Sequence, residues 1–492
     1  MYLPQKLENH IYIGGEWVKA TGEPEAVINP ATEEVLAYAP VGSRAEVEQA
    51  IAAAREAFDR GPWPRMAPAE RAAKLRELHA AIAARRDDII RLIVEEAGAV
   101  SSIHPIQFDV PMFLSGDMIE QGAKSLDKAL PSGTVANHDG SRSFVGGMIR
   151  REPIGVVSAI TPYNFPFFLN IVKLFPALVA GNTVVLKPSP FTPFSALIVA
   201  EIAAGLDFPP GVINVITGGK DVGEQMTTDP RVDVISFTGS DAVGSAIMAQ
   251  GAPSLKRLHL ELGGKSALII RSDANLAAAV QAGVGSLSHS GQGCALCTRH
   301  IVHNSVRKQY VEQLAEAFRS LKIGSPSDPS STFGPLIREA QRAKTEYYTE
   351  EGLKGNARLV TGGRRPAGFD KGFYFEPTVF DDVDNKSRLA QEEVFGPIVA
   401  VTGFDSDEQA IDMANDSSFG LGGAVFSSDL GAAFDIAAGV RTGVVSINGG
   451  GSIPGAPISP FGGFKRSGIG REWGEEGVNA FTELKSISYR QI

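Results

Sequence analysis

Residues 154 to 190 read IGVVSAITPYNFPFFLNIVKLFPALVAGNTVVLKPSP, and this stretch decides the fold. IGVVSAI predicts a strand, FPFFLNIVKLFPALVAG a helix and NTVVLKP a second strand. Strands this uniformly apolar must be covered on both faces, which alternating helices provide, so the pattern predicts a parallel sheet. The alternation continues: SALIVAEIAAGL, VGEQMTTD and DAVGSAIMAQ as helices, GVINVITG, VDVISFTG and LKRLHLEL as strands. A sheet of this kind binds nucleotides at its strand ends. A second α/β series follows, with SALIIR, RHIVHN, PTVFDDV, PIVAVTGF, GAVFSSD and VVSIN as strands, and VRKQYVEQLAEAFRSL and DEQAIDMAND as helices. Upstream, residues 11 to 41 read as short strands with turns, and two or three amphipathic helices start at Arg44. Residues 125 to 150 are polar and Gly/Ser-rich without helical period, the composition of an extended arm; 479 to 492 read as a terminal strand.

A chain of 492 residues exceeds one core, so two or more domains are expected. With 43% hydrophobic and 21% charged residues it has the composition of an ordinary globular protein. A net charge of -10 and a pI near 5.4 argue against nucleic acid or an anionic membrane as the main partner. Two cysteines cannot make a disulfide framework, and the start MYLPQKLENH lacks a signal-peptide core, so a reducing cytoplasm is expected. The most apolar run, Phe165 to Gly181, is interrupted by Asn170, Lys173 and Pro176 and falls short of the roughly 20 residues that span a bilayer.

The chemistry centres on SHSGQGCALCTR, residues 288 to 299. Cys294 follows Gly291 and Gly293 where the helical pattern from Asn275 gives way to a turn, a place where backbone N–H groups and a thiolate can meet one substrate. Asn164 directly follows a sheet strand, and its side-chain amide can donate to an oxyanion. In LELGGK, Glu261 ends an otherwise apolar strand, which demands a cleft or a raised pKa and suits a general base. FTGSDAVG, Phe237 to Gly244, leads through Gly239 and Ser240 into a helix whose N-terminus can hold an anion. The fourth segment is EEVFGP, Glu392 to Pro397.

Together these segments resemble the NAD(P)-dependent aldehyde dehydrogenase superfamily, over nearly the whole chain from INPATEE to FGGFKRSGIGRE at 461 to 472. The resemblance implies an α/β fold of two Rossmann-like parallel-sheet domains plus a small β oligomerisation arm. It places the NAD(P)-binding domain at 1–124 and 151–260, the catalytic domain at 261–478, and the arm at 125–150 and 479–492. It implies Cys294 as nucleophile, Glu261 as general base of thioester hydrolysis, and Asn164 with the Cys294 backbone N–H as oxyanion hole. For the cofactor it implies Lys187 at the adenosine ribose, Ser240 at the pyrophosphate with Gly239 and Gly244 in the same segment, Glu393 at the nicotinamide ribose and Phe395 near the nicotinamide. The product is then a carboxylic acid and the assembly a homodimer or homotetramer. Three positions depart from the usual pattern: Tyr163 where Trp is commoner, Gly293 before the cysteine, and Pro190 where a carboxylate is frequent. Pro190 weakens repulsion of an extra phosphate, while Lys187 has no cationic neighbour to grip one, so NAD is expected as the better cofactor with some NADP turnover.

Rival readings are a zinc or redox site, since Cys294, Cys297, His300 and His303 recur at three-residue steps, and a non-turnover binding protein on this fold. Against zinc, an odd separation along the strand RHIVHN sends the two histidines to opposite faces. Tyr163, Phe168, Val172, Ile458 and Phe461 are the expected channel wall, favouring an apolar or aromatic aldehyde.

Overall fold

The computed structural model describes residues 5–124, 127–449 and 458–491; positions 125, 126 and 492 of the expected arm lie outside the described residues. An eight-stranded sheet runs in the order Glu16–Lys19, His10–Ile13, Ile213–Val215, Thr183–Lys187, Val156–Ile160, Val234–Thr238, Arg257–Glu261, Gly468–Ile469. Its five middle strands are parallel. The register pairs Ile160 with both Lys187 and Phe237, and Thr238 with Glu261. Lys187, Thr238 and Glu261 therefore end at one level of the sheet, and Asn164 follows just beyond Ile160. From Val156–Ile160 the chain first builds outward through Thr183–Lys187 and then returns to the other side with Val234–Thr238. The crevice at such a reversal is where open α/β sheets bind ligands.

The helices that cover this sheet follow from their sequences. Arg44–Asp59 opens with a capping box in which the Ser43 N–H donates to Glu46 Oε2 at 2.7 Å. Pro166–Val179 is buried almost all round, including Lys173 and Asn170. Phe194–Ala204 takes its N-terminal cap from Glu96 of the helix Arg86–Ala97, whose carboxylate accepts from the Phe194 and Ser195 N–H groups.

The second sheet has the order Arg358–Thr361, Thr378–Asp381, Ile398–Phe404, Arg299–His303, Ala267–Ile270, Gly422–Phe426, Val444–Ile447. It is parallel except at its first strand. The helix Glu339–Lys354 did not show in the sequence, because its buried side is carried by Gln341, Arg342, Thr345, Tyr348 and Thr349 rather than by aliphatic residues. The third sheet joins Lys128–Ala136, Arg142–Pro153 and Thr482–Gln491, all antiparallel.

Two expected boundaries move. Residues 468 to 479, placed with the second unit by the sequence, lie with the first: Gly468–Ile469 pairs antiparallel with Leu260 and Glu261. The helix Gly474–Asn479 then packs on Val110–Gly122 and Pro166–Val179. Gly468 permits this, since a Cβ there would collide with the Leu260 carbonyl oxygen. The arm strand also runs on to Pro153, and its partner starts at Thr482, after Asn182 Nδ2 has pinned the Phe481 carbonyl at 2.9 Å. Among the described residues no helix is long and apolar enough to cross a membrane.

Candidate active site

Three chain segments can converge on Cys294 only because glycines remove side chains between them. After the helix Leu276–Gly285, residues His289, Ser290 and Gly291 take successive positive φ values of 51°, 56° and 74°. This tight left-handed turn brings Gly291 so close to the Gly396 carbonyl that any Cβ would collide with it. The turn thereby docks on the EEVFGP segment. From the other side, a Cβ on Gly264 would strike the Cys294 carbonyl oxygen, so LELGGK lies directly against the cysteine loop.

Cys294, Asn164 and Glu261 line one cavity of about 210 Å³. Its wall is mostly apolar, from Ile106, Phe165, Phe168, Leu169, Leu296 and Phe461, and Thr238, Glu472 and Trp473 complete it. Asn164 is held from several directions. Its Nδ2 donates to the Gln292 carbonyl at 2.8 Å, its own carbonyl accepts from Gln107 Nε2 at 2.9 Å, and its backbone hydrogen-bonds His289. One amide N–H is thus committed to positioning, which leaves the second N–H of the same group for an oxyanion.

Glu261 is 3% exposed, and its Oε2 has no partner among the described residues. Burial, then the carboxylate of Glu472, hold its pKa well above the usual value, against the opposing charges of Lys173 and Arg471. Glu472 is itself paired: Lys173 Nζ, fully buried, reaches Glu472 Oε1 at 2.6 Å and Ser236 Oγ at 3.2 Å. This ion pair went unread in the sequence, although a lysine inside the most apolar helix signals that some buried carboxylate must meet it. Burial pushes the Cys294 thiol up to about 12, and the Glu393, Glu261 and Glu472 carboxylates add to the shift.

The residues expected to hold a cofactor lie along the crevice outside that cavity. Glu393 Oε1 accepts from the Gly264 N–H at 2.9 Å, and burial raises its pKa against the charges of Lys344 and Lys265. Phe395 meets Tyr163 edge to face at 6.1 Å, and Tyr163 meets Phe191 likewise at 6.0 Å. Lys187 is buried, which pushes its pKa down to about 8, with Glu25 as the nearby charge opposing the shift. Its stem passes above Gly223, where a Cβ would lie 3.8 Å from Lys187 Cε, and a Cβ on Gly219 would lie 3.6 Å from Glu25 Oε1. Ser240 caps the helix Asp241–Gly251, accepting from the Val243 N–H, and Gly239 precedes it. Gly244, expected in the pyrophosphate segment's contact set, faces inward instead: a Cβ there would collide with Leu262, so its absence of a side chain serves helix packing. Together these give a ribose carboxylate, a helix N-terminus and an aromatic platform, a set that fits a dinucleotide.

The channel residues divide. Phe168 and Phe461 line the cavity; Tyr163 faces Phe395, Val172 is sealed in the core one helical turn below Phe168, and Ile458 is half exposed outside the lining. The histidines behind Cys297 separate as well. His300 is buried and bonds the Tyr310 hydroxyl and Ser286 Oγ, whereas His303 caps the next helix through the Ser305 N–H. Among the described residues no group of three or more His, Cys, Asp or Glu could hold a metal ion.

A sequence model of the aldehyde dehydrogenase family matches residues 17–487, and the chain belongs to that family. It is 38% identical over 485 residues, 97% of each chain, to 3-succinoylsemialdehyde-pyridine dehydrogenase of a Pseudomonas species. Among solved structures, aldehyde dehydrogenase of Mycobacterium tuberculosis with NAD+ is 42% identical at a TM-score of 0.89, with 97% of both chains covered. A cysteine-to-alanine variant of aldehyde dehydrogenase C from Pseudomonas syringae, with NAD+ and octanal, is 35% identical at a TM-score of 0.90, with 99% of this chain and 98% of that one covered.

Proposed function

We propose that this enzyme oxidises an apolar or aromatic aldehyde to its carboxylic acid with NAD+ as the better hydride acceptor, in a reducing cytoplasm and as a homo-oligomer. The observation that carries the reading is the shared cavity: a cysteine, an amide with one free N–H and a carboxylate with one unpaired oxygen face the same apolar space. The Cys294 sulfur, once deprotonated, adds to the aldehyde carbon. Negative charge grows on the aldehyde oxygen, where the Asn164 amide and the Cys294 backbone N–H are positioned to donate. A bound nicotinamide supplies the site that accepts the hydride. Asn164 and Cys294 hold the reacting carbon in place, and the apolar wall excludes bulk water while the thioester forms. Glu261 then takes a proton from the water that attacks the thioester, releasing the acid and the sulfur. Its raised pKa makes it a stronger base than an exposed carboxylate once ionised.

The first unit is then the cofactor domain, the second supplies the nucleophile, and the three-stranded sheet serves assembly. The wall of Ile106, Phe165, Phe168, Leu169 and Phe461 supports an apolar substrate, as do the octanal held by the Pseudomonas syringae enzyme and the pyridine-bearing semialdehyde named for the Pseudomonas relative. The test is Glu261→Gln. This variant reduces about one NAD+ per site and stalls as a thioester, read by rapid-mixing absorbance and intact mass; unimpaired multiple turnover would remove Glu261 from the mechanism.

A further inference from the structure

Trp473 combines three features that neither the nucleophile nor the base requires. Its backbone has φ 66° and ψ 162°, a region that L side chains avoid and that is occupied almost only by glycine. Its neighbours hold it there. Phe461 and Glu472 exchange two backbone hydrogen bonds, at 2.8 and 2.7 Å, and a Cβ on the following Gly474 would collide with the Ile458 carbonyl. The indole is stacked on Phe461 at 4.5 Å and 22° and packs against Phe168 at 5.8 Å. It lines the aldehyde cavity, is 6% exposed, and its Nε1–H has no acceptor among the described residues. A buried donor is rarely left unpaired, and an indole N–H can only donate. Neither Glu261 nor Glu472, both on the same wall, takes this hydrogen bond.

We propose that Trp473 is a specificity-determining residue whose indole N–H binds a hydrogen-bond acceptor, an ether or carbonyl oxygen or a ring nitrogen, carried by the substrate away from its aldehyde group. The inference rests on the reading of this cavity as the aldehyde site. A volume of about 210 Å³ exceeds the roughly 150 Å³ that suffices for benzene, leaving room for one ring with small substituents. The preferred aldehyde is thus a single ring or short chain with one acceptor, in place of a plain hydrocarbon. A site that already holds an unpaired donor discriminates against the analogue that lacks the acceptor.

The test compares kcat/KM for 4-methoxybenzaldehyde and 4-ethylbenzaldehyde, which match in size, in wild type and in Trp473→Phe. The methoxy-to-ethyl ratio in wild type should fall roughly 2- to 10-fold in the variant, the range of one neutral hydrogen bond. Lost ring volume and the electronic effect of the methoxy group act on both proteins or both substrates and do not move this double ratio. An unchanged ratio in an active variant overturns the assignment, leaving the N–H to water. Inhibition of wild type by anisole against ethylbenzene gives a second readout that does not depend on the variant folding: equal inhibition constants overturn the proposal, and tighter anisole binding supports it. Failure of the underlying reading looks different, because Cys294→Ala would then retain aldehyde oxidation.

Discussion

At the scale of single residues, the environment of Cys294 sets a measurable pH dependence. Its thiol is pushed up to about 12 by burial and by three carboxylates, Glu393 foremost. In the cofactor-free enzyme the sulfur is therefore neutral near pH 7, and its thiolate fraction rises about tenfold for each pH unit below that value. Alkylation by iodoacetamide, followed by mass spectrometry from pH 7 to 10, should accelerate in step. Glu393→Gln removes a negative charge, lowers the thiol pKa and speeds labelling at any fixed pH. Cys297→Ala leaves both labelling of Cys294 and most activity intact, since Cys297 is 2% exposed within the core of the second unit. A labelling rate flat across this range would refute the account. Cys294, Asn164 and Glu261 were legible because each stands at a strand end or a glycine turn, where local pattern alone marks an unusual residue. The groups that tune them were not legible. Glu472, Lys173 and Gln292 reach the site through contacts between distant segments, and nothing in their local sequence says where they point.

At the scale of elements, the cofactor crevice shows how a missing side chain can be replaced from elsewhere. Pro190 leaves no carboxylate beside Lys187, but the strand Glu25–Ile28 brings Glu25 over Gly219 and within electrostatic reach of that lysine. Glu25 would repel an additional phosphate on the adenosine ribose. Glu25→Gln is accordingly expected to raise kcat/KM for NADP relative to NAD by up to about tenfold at low salt, and less at high salt. Pro190→Glu should act in the opposite direction. Steady-state rates with both cofactors decide it, and equal changes for NAD and NADP in Glu25→Gln would discard the role. The alternating strands and helices were readable because aliphatic period marks them. The helix Glu339–Lys354 was not, because polar side chains bury its inner face, and neither was Trp473, whose place on the cavity wall depends on a bridge between Phe461 and Glu472.

At the scale of the whole molecule, the three-stranded arm exposes Val135, Phe144, Leu484, Ile487 and Tyr489 on a ribbon with little core of its own. Such a surface is stable when covered by another copy. Ile487→Asp combined with Tyr489→Asp is expected to shift the protein to a smaller species in light scattering; an unchanged mass would assign assembly to another face. The polar composition of residues 125 to 150 announced the ribbon, but not that the chain's last described strand completes it. Register between segments so far apart is set by the fold and leaves no local trace.

The return of residues 468 to 491 also fixes an order in time. Glu261 closes a strand whose outer neighbour, Gly468–Ile469, is synthesised about two hundred residues later. At roughly 5 to 20 residues per second, that strand waits on the order of ten to forty seconds for its cover. Throughout that interval the cysteine loop has already emerged, yet the segment carrying Glu472 and Trp473 has not. A nascent or prematurely halted chain therefore carries the sulfur without the wall that shapes its cavity, and the enzyme becomes reactive toward aldehydes only as its final strands dock.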